Sequence, residues 1–235
     1  MCVVITAPPT GRDEWHVDSP KMRAFIEKVD EIRGSTNDTA AIVKWIEPHL
    51  AELMRDPDWL PQEFMEPKAE SGMGSGIGMW LLYRAGDGSL AFSSLVVPPG
   101  ASTPVHDHLA WGIVGLYRGN QDEIVYTRTD DGSVDGVAKL ETQVSRSLVP
   151  GDMYELLPAT DIHEVKTTSE FTSVSLHLLG NDNGCLWRHR FHPEAGTVEP
   201  FKSGWLNVPC NEETENEASL RRRFRSLCLT HRFRH

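Results

Sequence analysis

The chain has no paired cysteine motif. Cys2, Cys185, Cys210 and Cys228 are scattered through 235 residues without a CxxC, which gives neither a disulfide framework nor a zinc ribbon. Cys185 therefore reads as a buried thiol. No apolar run approaches the roughly 18 residues that a membrane-spanning helix needs. The opening Met1-Cys-Val-Val-Ile-Thr-Ala-Pro-Pro9 has no basic region and too short an apolar run for a secretory signal. These absences predict a cytoplasmic protein without a membrane partner. A positive surplus is also missing. The net charge is -11, which counts against general nucleic-acid binding. Concentrated cations occur only at the end, where Arg221, Arg222, Arg223, Arg225, Arg232 and Arg234 follow an acidic, polar stretch from Asn211 to Asn216. A solvated tail is expected there.

What is present divides the chain into three. Residues 1–75 read as an N-terminal helical segment. Ser19-Pro20 offers an N-cap and a proline at the first helical position. Met22, Phe25, Ile26, Val29 and Ile32 follow at helical spacing, and Gly34 is expected to close the helix. A second helix carries Ile42, Val43, Ile46, Leu50, Leu53 and Met54, with a kink expected at Pro48. From about residue 76 to 205, short apolar runs alternate with turn signals such as Pro98-Pro-Gly100, Gly119-Asn120 and Pro150-Gly-Asp152. That spacing predicts an all-β barrel or sandwich. Residues 206–235 form the polar and then arginine-rich tail. The run Gly72-Met-Gly74-Ser-Gly76-Ile-Gly78 is glycine-rich but precedes a strand and lacks a Lys-Ser/Thr, so it is no phosphate loop.

The chemistry concentrates at His106-Asp107-His108, between expected strands at Leu90–Val97 and Ile113–Tyr117. Residues i and i+2 of a strand share a face, so both imidazoles can reach one ion while Asp107 faces the other way. His163, in Pro158-Ala-Thr-Asp-Ile-His163-Glu-Val165, supplies a third. Three neutral imidazoles suit a divalent first-row metal and leave coordination positions open. Gly100, His106, His108 and Gly119 fit the first motif of the cupins, and Gly151, Pro158 and His163 fit the second. The glutamate usual after the second histidine is missing: Gly112 and Ile113 stand there. An ion held by three histidines alone keeps its full charge and favours an anionic ligand.

Thr103-Pro-Val-His-Asp-His-Leu-Ala-Trp-Gly-Ile-Val-Gly-Leu-Tyr-Arg-Gly119 resembles the first motif of the cysteine dioxygenase family of cupins, the bacterial thiol dioxygenases. Asp161-Ile-His163-Glu-Val165 resembles the second, and Ser173-Val-Ser175-Leu-His177-Leu resembles the strand of the family's Ser-His-Tyr relay. Arg188-His-Arg-Phe-His-Pro193 and Ser203-Gly204-Trp205 resemble the C-terminal segment of the bacterial branch. The resemblance covers about residues 20–205. It implies a double-stranded β-helix and an iron(II) held by His106, His108 and His163. It implies as partners a small thiol and O2, with both oxygen atoms ending on sulfur as a sulfinate. Ser175, His177 and Arg188 are the expected catalytic residues, Arg188 as a clamp for a substrate carboxylate.

The departures from the family are as informative. Leu179 stands where the relay has its tyrosine. Trp80 aligns with the carboxylate-binding arginine of the animal enzymes. Their cysteine–tyrosine crosslink is ruled out, because no cysteine lies between Cys2 and Cys185. Cysteine itself is thus a doubtful substrate. Trp111 is expected to fill the barrel behind the metal. Two other readings stand beside the thiol dioxygenase: a three-histidine cupin that cleaves a carbon–carbon bond of a diketone, and a cupin that binds a metal or ligand without turnover.

Overall fold

The computed structural model describes residues 9–68 and 72–210. The opening apolar run, the acidic stretch after residue 210 and the arginine-rich tail lie outside the described residues. Helix α1 (Pro20–Ser35) starts as its sequence predicts: the Ser19 hydroxyl accepts the Met22 N–H at 3.2 Å. Gly34 does not end it. The helix runs on to Ser35 and stops at Thr36, whose backbone is extended, not left-handed. Helix α2 (Thr39–Met54) is capped by Asp38, which accepts the N–H groups of Ala40 and Ala41 at 3.1 and 3.3 Å, and it continues through Pro48.

Twelve strands follow or flank these helices: β1 (Glu14–Trp15), β2 (Gly78–Arg84), β3 (Ala91–Val97), β4 (Val105–His106), β5 (Gly112–Arg118), β6 (Gln121–Arg128), β7 (Leu140–Leu148), β8 (Met153–Leu156), β9 (Ile162–Thr167), β10 (Ser173–Leu179), β11 (Arg188–His192) and β12 (Thr197–Phe201). They form two antiparallel sheets, ordered β1-β2-β3-β10-β5-β8 and β12-β11-β4-β9-β6-β7. The central orders 3-10-5-8 and 4-9-6-7 are those of a jelly roll, two Greek keys folded face to face. The protein is mainly β, as expected, with the helices added at its N-terminal side.

Burial sets each strand's facing. The helices pack on the first sheet, where Val174, Leu176 and Leu178 of β10 join Phe25, Ile46 and Leu50 in one cluster. By alternation, Ser175, His177 and Leu179 point between the sheets. Strand β10 is therefore buried on both sides, and its inward side carries the polar residues, the reverse of an ordinary half-exposed strand. Trp111 packs with the helix-side cluster, not behind the metal site, because its carbonyl accepts the Gly180 N–H at 2.8 Å and its ring fills the space beside that glycine.

Cys185 is not a thiol: it is bonded to Cys210, 25 residues on. Sequence spacing could not show this pair. The chain returns through Gly204, whose N–H donates to the Gly184 carbonyl at 2.8 Å, and through Leu206, whose N–H donates to Met79 at 2.9 Å. Disulfides are rare in the cytosol, so the pair sits awkwardly with the expected location. No described helix is long and apolar enough to cross a membrane.

Candidate metal centre

His106 on β4 lies directly opposite His163 on β9, so the two side chains leave the sheet on the same face. His108 follows where the chain turns out of β4; Leu109 takes a left-handed conformation there (φ 54°). The three rings converge. Their centroids are 4.8–5.1 Å apart, and one ligand atom from each lies within 4.8 Å of the others. All three are buried.

Each ring is oriented from behind through Nδ1. His106 faces the Pro104 carbonyl at 2.8 Å, His108 the Asp161 carboxylate at 3.0 Å and His163 the Glu123 carboxylate at 2.8 Å. An acceptor at Nδ1 places the proton there and leaves the Nε2 lone pair free. Asp161 also accepts the backbone N–H groups of His108 and Leu109 at 2.8 and 2.9 Å, which ties the turn after β4 to the start of β9. Burial above all, with the Arg188 charge and the neighbouring imidazoles adding to it, holds His106 and His108 well below the usual histidine range. Neutral imidazoles presenting Nε2 toward one point are the donor set for a divalent metal ion. The residues present therefore fit the metal that the sequence implies.

The missing glutamate has a structural reason. A side chain at Gly112 would begin 2.4 Å from the Leu179 side chain and 2.9 Å from the Leu178 carbonyl oxygen. Leu179 belongs to an inward cluster with Val114, Leu116, Tyr154 and Leu156. The one leucine, at the position where the sequence resemblance puts a tyrosine, thus occupies the room beside residue 112. Negative charge is present all the same, one hydrogen bond behind the rings, in Asp161 and Glu123. Sequence reading gave these two no role. Asp161 stood two residues from a ligand in the second motif. Glu123 was legible only as a carboxylate in register with Gln121 and Val125 on one face of a strand.

Ser175 and His177 lie together, Oγ to Nε2 at 2.9 Å. Burial first, then the nearby His163 and the Arg188 charge, lower the His177 pKa to about 3, so the ring is neutral. Arg188 is 1% exposed. Its guanidinium donates to the Asp107 carbonyl at 2.9 Å, the Ser203 hydroxyl at 3.0 Å and the Asn183 carbonyl at 3.4 Å, and stacks 4.6 Å from the Phe201 centroid. Among the described residues it makes no ion pair. Burial lowers its pKa to about 10, which still leaves it charged at neutral pH. Asp107 faces away from the ligands and accepts the His189 N–H at 2.8 Å and its Nδ1 at 2.6 Å. Trp80 is turned away from the three histidines. It packs with the helix-side cluster and donates its indole N–H to the Glu66 carbonyl at 2.9 Å, while Met79 and Leu81 point inward.

No protein-family profile matches the sequence. Solved structures resemble it in part. An oxalate oxidase in complex with glycolate is 16% identical over 46% of this chain and 51% of its own, with a TM-score of 0.35. A cupin-2 domain protein of Rhodospirillum rubrum is 13% identical over 62% and 70%, at 0.34. A cupin superfamily protein of Desulfitobacterium hafniense is 17% identical over 45% and 78%, at 0.32. The chain spans about half the length of the oxalate oxidase it matches. Likenesses this partial leave the function to be read from the site.

Proposed function

We propose that this protein is an iron-dependent thiol dioxygenase acting on a small thiol carboxylate. One observation carries the reading: Arg188, a wholly buried guanidinium with no carboxylate in ion-pair contact among the described residues, stands close enough to the histidines that its charge depresses His106 and His108, while the Asp107 and Asp161 charges act on it only from further off. A buried cation whose direct acceptors are all neutral is costly, and a substrate carboxylate would add a charged contact in bidentate geometry. Iron(II) on His106, His108 and His163 would supply the redox chemistry that joins O2 to sulfur. Both oxygen atoms enter the product, so thiol plus O2 gives sulfinic acid and no outside reductant is required.

The chain's own part is orientation and exclusion of water. Arg188 fixes the carboxylate end of the substrate and so sets where its sulfur lies. The neutral Ser175–His177 pair offers hydrogen bonds on the opposite wall without adding charge. Leu179, Met79 and Leu81 keep the remaining walls dry. Those apolar walls also favour the second reading, carbon–carbon cleavage of a diketone. Metal analysis of the purified protein, then oxygen uptake and product mass spectrometry with 3-mercaptopropionate, cysteine and a β-diketone, separates the two. A sulfinate 32 mass units (roughly, two oxygen atoms) above the thiol supports the first. Chain-cleavage products from the diketone, with no thiol turnover, would replace it with the second.

A further inference from the structure

The three imidazoles are not held alike. His106 leans on a neutral carbonyl. The Asp161 carboxylate behind His108 is bound by two neutral backbone N–H groups. Behind His163 the chain of contacts continues outward through charge. Glu123 is fully buried and faces Arg146, its register partner on β7, whose Nε donates to the second carboxylate oxygen at 2.5 Å. Arg146 belongs to the edge strand and its side chain is 37% exposed. It is also held flat: its guanidinium lies 4.9 Å from the Tyr154 ring centroid, and that ring packs against His163 at 5.8 Å. Tyr154 comes from β8, at the edge of the other sheet. Arg146 and Tyr154 therefore close the seam between the two sheets directly behind one metal ligand.

We propose that Glu123 and Arg146 are positioning residues for the metal, holding His163 with its Nδ1 proton toward the carboxylate and its Nε2 toward the ion. The inference rests on the metal reading above but not on the substrate. Glu123 accepts from His163 with one oxygen and from Arg146 with the other, so its orientation is fixed at both ends. Arg146 gives the second carboxylate oxygen a charged donor in a dry setting where that oxygen would otherwise be costly to bury. A carboxylate acceptor at Nδ1 makes the imidazole a stronger donor to the metal. Arg146 can do this from a half-exposed position because Tyr154 limits its freedom. The ligand on β9 is thus the one whose hold on the ion is set from the protein surface.

The test uses the full chain and Co(II) alone, with affinity read by competition against a chelator and geometry read from the visible d–d bands. Glu123→Gln keeps the shape and removes the charge. It should weaken Co(II) binding by about 10–100-fold, the range known for partners of this kind, and shift the bands. Arg146→Met, at a position open enough to spare the fold, should weaken binding less, and Arg146→Lys should recover part of the loss. Unchanged affinity and bands in Glu123→Gln would overturn the proposal. Weakening in Glu123→Gln with no effect of Arg146→Met would remove Arg146 from it. A parent chain that binds no Co(II) would instead defeat the metal reading itself, which keeps the two failures apart.

Discussion

Around the candidate site, one sheet supplies the candidate ligands and the charges, His106, His163, Glu123 and Arg188, set among apolar residues such as Val165 and Phe201. The inward residues of the facing sheet, Ser175, His177, Leu179, Val114 and Leu156, are neutral. The difference follows from what lies behind each sheet. Helices α1 and α2 cover the outer face of β10, so a charge on its inner face would be cut off from water on both sides. The other sheet ends in β7, which is mostly exposed, and Glu123 reaches solvent through Arg146. One wall thus holds ions, and the other excludes water and supplies uncharged polarity.

The largest effect is expected on the charged wall. His163→Ala should lower metal affinity by more than the roughly 10–100-fold typical of partners behind a ligand, with activity falling in step. Full metal content in that variant, by elemental analysis after dialysis, would break the assignment of ligands to this sheet. Next comes Arg188→Ala. Losing a charge-assisted contact of about 1.5–3 kcal/mol should cut kcat/KM for a thiol carboxylate by about 10- to 150-fold. The loss for cysteamine, a thiol without a carboxylate, should be much smaller. Equal losses on both thiols would make Arg188 a structural residue.

The neutral wall gives the smallest effect. The His177 pKa is lowered from 6.5 to about 3 by burial, His163 and Arg188, so the unfolded chain takes up its proton first as pH falls. The stability due to the neutral ring is complete above about pH 6.5 and is lost as pH drops toward 3. Metal-free protein should lose about 1–2 kcal/mol between about pH 6.5 and 5 from this group, with His106 and His108 steepening the slope. Urea unfolding across that range measures it. A flat profile would show that the wall already carries charge.

The jelly roll and the three converging histidines were readable because both rest on short-range pattern. Turn residues bounded most strands, and the close spacing of His106 and His108 suggested convergence, although β4 ends at His106 and it is the turn after it, tied down by Asp161, that brings His108 round. What escaped depended on pairing between distant segments. Glu14–Trp15 is too short to show alternation, yet it extends the first sheet by pairing with Tyr83 and Arg84. Glu123 meets His163 across 40 residues, and no motif marks it. The facing of Trp80 could not be fixed by alignment alone, since a shift of one residue reverses a strand's two faces and β2 carries a register break between Leu81 and Tyr83. The Cys185–Cys210 bond needed the return of the chain along β2, which no local pattern announces.

Gly112 and Leu179 face each other with 2.4 Å between the leucine side chain and the place a first side-chain carbon at 112 would take. The two positions therefore have a shared volume, and substitutions at them are not independent. A glutamate introduced at 112 alone meets the leucine and the backbone beside it; a smaller residue at 179 alone leaves a void. The route from this site toward one with a carboxylate at 112 passes through paired changes, with the smaller residue at 179 coming first or together with it.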